Sequence, residues 1–263
     1  MIARNGMQQK GLRVIKITYA SLSETGDREI NEDSIGALEK DNTYIFALAD
    51  GLGGHGGGEI ASSLVISRTM EAFSEPQWSG DLSLCFVEGQ NAVMKEQSLR
   101  GQPDDMKTTL VILHIMRDKN ANELIAKWGH IGDSRLYVFN KGKYESRTKD
   151  HSVPQMLVNS GDIREKEIRH HPDRNRLLRV MGIEWEEPRY ELSETTALSI
   201  DISYLMCSDG FWELIDEKDM SKLLRSSHTP NEWLERMEEK VKRNGMGKDM
   251  DNYSAIAIWA RGG

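Results

Sequence analysis

Apolar runs that stop at an aspartate constrain this chain more than any other feature. YIFALA (44–49) is continuously apolar and stops at Asp50-Gly51. LIAKWGHIG (124–132) runs into Asp133-Ser134, and ISYLMCS (202–208) into Asp209-Gly210. Asp251-Asn252 stands immediately before YSAIAIWA (253–260), and Arg28, Asn31, Glu32 and Asp33 cluster after the first strand. One Asp-Gly is ordinarily a turn. Several carboxylates at the edge of an apolar core are a different matter, because an isolated buried charge is costly unless it is paired or on a metal. Only Arg28 and Arg135 stand near them in sequence. Hard oxygen donors without clustered His or Cys favour Mg²⁺ or Mn²⁺, and HExxH and CxxC are both absent.

The rest of the pattern predicts an α+β chain. Strands are expected near 13–22, 44–50, 108–116, 123–132, 135–140, 189–194, 202–208 and 253–260, with helices near 57–75, 81–99, 216–225 and 230–243. Strands and helices fall in separate blocks, which excludes an alternating βαβ rhythm. Gly51, Gly53 and Gly56 formally match GxGxxG, but Asp50 before the first glycine would repel a pyrophosphate, and no βαβ unit follows. The glycines suit close backbone packing instead. No linker divides the 263 residues, so one domain is expected over 13–263, after a flexible leader at 1–12.

Composition narrows the function classes. A formal net charge of −8 disfavours a general nucleic-acid binder, which carries a basic stripe. No apolar run reaches the roughly 18 residues that span a bilayer, and no secretory segment is present, so a cytoplasmic location is expected. Cys85 and Cys207 lie in apolar runs and read as buried thiols in a reducing compartment. Neither is followed by Arg six positions on, so no cysteine-nucleophile phosphatase loop exists.

The motifs RxxNEDS (28–34), ALADGLGGHGGGEIAS (47–62), TTLV (108–111), GHIGDSRLY (129–137), DHS (150–152), MCSDGFWE (206–213) and DNYSAI (251–256) stand in one order. That order resembles the type 2C metal-dependent protein serine/threonine phosphatases, most of all their compact bacterial members, over about residues 15–260. The resemblance implies a four-layer αββα sandwich, two antiparallel sheets flanked by helix pairs. It implies two Mn²⁺ or Mg²⁺ ions with a weaker third, and hydrolysis of phosphoserine and phosphothreonine in proteins by a metal-bridging water or hydroxide. By the same resemblance Asp50 bridges two metals, the Gly51 carbonyl binds the second, and Asp209 and Asp251 hold the first. Asp133 joins Asp209 at the third site, Asp33 binds directly or through water, Glu32 acts through water, and Arg28 grips the phosphate. The implied partners are phosphorylated proteins, a Ser/Thr kinase and its targets among them, for a monomeric enzyme without nucleic acid or membrane.

One departure stands out. Animal relatives place a histidine directly after the Asp-Gly, and here that position is Leu52. His55, His151, His170 and His171 are other candidates, and no general acid is assigned. The segment about 150–180 matches a flap beside the cleft. From Ile163 to Arg179 it holds six Lys/Arg, two His and three acids, which reads as a solvated loop with a short helix; the sharper alternative is that basic residues such as Arg174, Arg176 and Arg179 help dock an acidic phosphopeptide. The competing reading is a catalytically weak adaptor of the same fold that binds phosphoproteins. It predicts lost acids, whereas every expected acid is present.

Overall fold

Strands buried on both faces explain the continuous apolar runs. In the computed structural model, which describes residues 15–53, 57–76, 78–101, 105–118 and 123–263, the strand β3 (Thr43–Leu52) sends alternate side chains into different cores. Phe46 and Leu48 enter a cluster with Ile256, Ile258 and Met206, while Ile45, Ala47 and Ala49 enter another with Val65, Phe86 and Val93. Side chains alternate across a strand, so a strand between two cores must be apolar at every position. The expected leader at 1–12 and His55 lie outside the described residues.

One sheet runs β1 (Ile15–Glu24), β12 (Tyr253–Gly262), β11 (Ile202–Cys207), β7 (Arg135–Asn140) and β8 (Lys143–Arg147). The other runs β10 (Thr196–Ala197), β6 (Leu124–Ile131), β5 (Leu110–Arg117), β3 and β2 (Asp33–Lys40), with β4 (Lys107–Thr108) on β3 and β9 (Glu191–Leu192) on β6. Every pairing is antiparallel. Helices α1 (Gly57–Ser74) and α2 (Leu82–Arg100) cover the second sheet. The short α4 (Asp209–Trp212) and helices α5 (Glu217–Ser226) and α6 (Pro230–Gly245) cover the first. A third cluster lies between the sheets, so the expected four layers are present.

Local chemistry sets the helix ends. Asp81 caps α2 by accepting the Ser83 amide, and Gly101 ends it in the left-handed conformation. In the flap segment, Ser152 caps α3 (Val153–Ser160), with Pro154 in its first turn, where a missing N–H costs nothing. A 3₁₀ turn follows at Glu165–His170. Cys85 and Cys207 are free and buried in separate clusters, and burial pushes the Cys85 thiol up to about 12. No helix among the described residues is long and apolar enough to cross a membrane.

Candidate metal centre

The sheets bring acids far apart in sequence to one edge of the sandwich. A cavity of about 480 Å³ is lined by Arg28, Glu32, Asp50, Gly51, Asp133, Asp209 and Asp251. The eighth candidate, Asp33, is not on that surface. It lies buried opposite Asp50 in the β2–β3 register, and its Oδ2 accepts a hydrogen bond from Ser208 Oγ at 2.7 Å. Asp50 is not at its strand's end, because Gly51 and Leu52 continue the strand by pairing with Thr108 and Lys107. The Asp50 carbonyl accepts from Thr109 N and Thr108 Oγ1, both at 2.9 Å, so its main chain is fixed on both sides.

Gly51 is required by packing. A Cβ there would collide with the backbone carbonyls of Gly58 and Glu32. Glu32 in turn presents its carboxylate to the Gly58 and Glu59 amides at the start of α1, a position that favours an anion. Asn252 ties Glu32 to the opposite sheet. Its Oδ1 accepts the Glu32 amide at 2.8 Å, and its Nδ2 donates to Thr25 O and Ile30 O.

Asp133 occupies the β6–β7 turn. The preceding Gly132 has φ of +97°, a conformation that needs glycine. Trp212 Nε1 donates to the Asp133 carbonyl at 3.0 Å, and the Arg135 guanidinium lies 3.4 Å from the centre of the Trp212 ring. Arg135 does not reach the cavity acids. It forms a two-pronged pair with Asp150, at 2.8 and 2.7 Å, and Arg147 adds a third contact at 3.0 Å. Burial raises the Asp150 pKa, but Arg135 and Arg147 outweigh that and hold it below the ordinary value. Asp150 therefore stands outside the acid set.

Asp33, Asp50, Asp133 and Asp209 have the opposite electrostatics. Burial, followed by the charges of Asp251 and Glu32, pushes Asp33 up to about 6, although Ser208 and Ser254 hydrogen bonds oppose the shift. Burial with Glu213, Asp251 and Asp33 pushes Asp209 up to about 7. Asp50 and Asp133 are raised well above the usual range, burial first and Asp209 second. Asp33 Oδ1 is buried with no hydrogen-bond partner among the described residues. Asp33, Asp50, Asp133 and Asp209, with no lysine or arginine ion pair among the described residues and with an orphaned oxygen, are a donor set suited to hard divalent cations.

A second group is less suited to a metal. His130, His151 and Glu191 place ligand atoms within 4.8 Å of one another. The two rings, however, stack 4.7 Å apart and only 7° from parallel, so their in-plane lone pairs do not converge. Their protons are fixed by partners. His130 Nε2 donates to Lys149 O at 2.7 Å, and His151 Nδ1 accepts the Gly132 amide at 3.2 Å. Burial lowers both pKa values, His151 to about 4. His151 is thus a support of the Asp133 turn. Sequence reasoning missed this role, as it missed Ser208 and Asn252. Their only sequence signal was adjacency to Asp209 and Asp251.

Comparison with known proteins gives a consistent result. Residues 23–251 match the family described as Protein phosphatase 2C. The chain is 32% identical over 215 residues to a serine/threonine phosphatase of Listeria monocytogenes, covering 78% of this chain and 81% of that one. It is 32% identical over 214 residues to the serine/threonine protein phosphatase PstP of Mycobacterium tuberculosis, covering 80% of this chain but only 39% of that one. Among solved structures, the Mycobacterium tuberculosis phosphatase superposes with a TM-score of 0.79 at 29% identity, over 94% of this chain and 100% of that one. A structure of the PstP catalytic domain in complex with two manganese ions gives 0.76 at 28% identity, over 94% and 100%.

Proposed function

The chain belongs to the protein phosphatase 2C family, and we propose that it hydrolyses phosphoserine and phosphothreonine in proteins with Mn²⁺ or Mg²⁺. The observation that carries this reading is the gathering of Asp50, Asp133, Asp209 and Asp251 around one cavity, with Asp33 buried beside Asp50 and only Arg28, on Asp251, as a basic partner. Asp50, the Gly51 carbonyl, Asp209 and Asp251 would hold two ions. Asp133 with Asp209 would hold a weaker third. Asp33 would bind directly or through water, and Glu32 through water. Bound there, the cations would supply Lewis acidity for water activation and for offsetting phosphoryl charge.

The protein's own groups do the positioning. Arg28 lines the same cavity and can fork onto two phosphate oxygens, as Lys cannot. Leu52 offers no proton, so the leaving alkoxide is protonated by a group other than the residue after Asp50-Gly51. We read 13–263 as one catalytic domain with a flap at about 150–180, acting as a cytoplasmic monomer opposite a Ser/Thr kinase. The adaptor reading is disfavoured because every expected acid is retained.

The test is phosphate release from a phosphothreonine peptide. Release should require Mn²⁺ and stop with EDTA. Asp209→Asn should lower it about 100-fold or more, roughly 2.7 kcal/mol of barrier. Full activity in EDTA would refute the proposal.

A further inference from the structure

The flap arginines expected to dock substrate are already engaged. Arg174 Nε meets Glu213 at 2.8 Å, Arg176 Nη1 meets Asp173 at 3.4 Å, and Arg179 Nη1 meets Glu191 at 3.6 Å. A different arginine is not satisfied. Arg169, in the 3₁₀ turn, gives Nη2 to Glu217 Oε1 at 2.8 Å. Its Nη1 is buried and has no hydrogen-bond partner among the described residues. The guanidinium is braced, lying 5.6 Å from the centre of the Trp212 ring, and its side chain is only 14% exposed. A buried donor left unpaired costs about 1–3 kcal/mol, so this position gains from an acceptor.

The surroundings supply room for one. Arg169 lines a cavity of about 530 Å³ that also includes Asp209 and Asp251, and an adjoining one of about 700 Å³. Arg169, His170, Glu213, Leu214 and Lys248 belong to both walls. Beyond the metal centre, the acids of the two walls have partners: Glu213 meets Arg174, Glu217 meets Arg169, Glu165 meets Arg147, Asp249 meets Arg28 at 3.7 Å, and Asp216 accepts the Asp219 amide that it caps. Lys166 and Lys248, both exposed, form no ion pair among the described residues. The groove therefore adjoins the metal centre with Lys166, Lys248 and one edge of Arg169 as its unpaired cationic groups.

Resting on the phosphatase reading, we infer that this groove binds the substrate chain beside the phosphorylated residue. The Arg169 guanidinium, rotating its unpaired Nη1 toward the cavity, takes a carboxylate side chain of that chain, supported by Lys166 and Lys248. The site thereby selects acidic phosphopeptides over neutral ones. Arg169 contributes binding and specificity, and it takes no part in the chemical step. A charged partner in a sheltered site gives a stronger hydrogen bond than a neutral one.

The experiment uses the full chain with saturating Mn²⁺. Phosphothreonine peptides carrying a single glutamate at successive positions on either side are compared with their glutamine counterparts and with p-nitrophenyl phosphate. Wild type should favour glutamate at one or two positions on one side, by about tenfold in kcat/KM. Arg169→Met should remove that preference through KM, leaving kcat and aryl phosphate turnover unchanged, and Arg169→Lys should restore part of it. Lys248→Met, on the exposed wall, should lower the preference about two- to threefold, and it reads the same groove if Arg169→Met fails to fold. A preference unchanged in either folded variant, or an equal loss on aryl phosphate, would overturn the inference. Wild type that releases no phosphate from any peptide or from p-nitrophenyl phosphate would instead overturn the phosphatase reading beneath it.

Discussion

Arg28 grips Asp251 through both carboxylate oxygens, Nε to Oδ1 at 3.1 Å and Nη2 to Oδ2 at 3.2 Å. The residue proposed to bind phosphate thus shares a carboxylate with the proposed metals. Both side chains are nearly half exposed, so solvent screens the pair and its worth is modest. Arg28→Ala should then act in two directions. Mn²⁺ should bind about two- to fivefold tighter by titration calorimetry, since a competing cation worth up to about 1 kcal/mol is gone. KM for a phosphopeptide should rise at least about tenfold, and Arg28→Lys should not restore it, because an ammonium lacks the planar fork. Unchanged Mn²⁺ affinity would show that the contact does not compete with metal.

The raised acids predict how stability responds to pH. With metals removed by EDTA, Asp33 titrates near 6 and Asp209 near 7, above their ordinary carboxylate values. The folded state therefore holds protons that the unfolded chain has released, and stability falls as pH rises from about 4 through 7. Thermal unfolding in EDTA should give a midpoint that drops over this window. Saturating Mn²⁺ should abolish or reverse the drop, because cations favour the ionised carboxylates. A metal-free midpoint that rises between pH 5 and 8 would contradict the crowding described.

The turn that carries Asp133 gives a third prediction. His151 accepts the Gly132 amide through Nδ1 and donates its own amide to Gly132 O at 2.9 Å. His151 O also accepts the Leu178 amide at 2.7 Å, so this residue joins the flap to the Asp133 turn. His151→Ala leaves the Gly132 donor unpaired and should cost about 1–3 kcal/mol in denaturant unfolding. It should lower kcat as Asp133→Ala does, while both variants keep the two tight Mn²⁺ ions. Loss of all Mn²⁺ in Asp133→Ala would remove it from the third site.

Gly51→Ala tests the backbone packing. The added methyl group meets main-chain atoms of Gly58 and Glu32, which cannot move aside as a side-chain tip can. Overpacking of this kind costs about 1–3 kcal/mol. Here it should also displace the carbonyl proposed as a ligand, so Mn²⁺ affinity should fall together with the unfolding midpoint. A variant of wild-type stability and affinity would place the ion elsewhere.

The parts of the fold buried on both faces were legible in the sequence. YIFALA, TTLVILHIM and YSAIAIWA read as strands because both neighbours of each strand's surface are core. β2 was not legible. DSIGALEK combines glycine with a charged end and is mostly only half-buried, so it carries no clean alternation. β8, KYESR, is an edge strand with no fully buried residue. That Asp50, Asp133, Asp209 and Asp251 line one cavity was legible from position, since a carboxylate beside an apolar run has few uses. Their supports were not. Ser208 meets Asp33 across 175 positions, and the Asn252–Glu32 bond spans 220. Such pairings arise only when the two sheets stack. The distant partners of the flap arginines were hidden for the same reason: Glu213 against Arg174 and Glu191 against Arg179 come together only in the fold.

The most direct test is to count bound Mn²⁺ and measure phosphate release on the same preparations of wild type and Asp50→Asn, with circular dichroism as the check on folding. The acid-cluster account predicts that wild type binds two Mn²⁺ tightly and hydrolyses a phosphothreonine peptide. It predicts that folded Asp50→Asn loses tight binding and at least about 100-fold of the rate, roughly 2.7 kcal/mol of barrier. A folded Asp50→Asn that keeps two tight Mn²⁺ and the wild-type rate would contradict it.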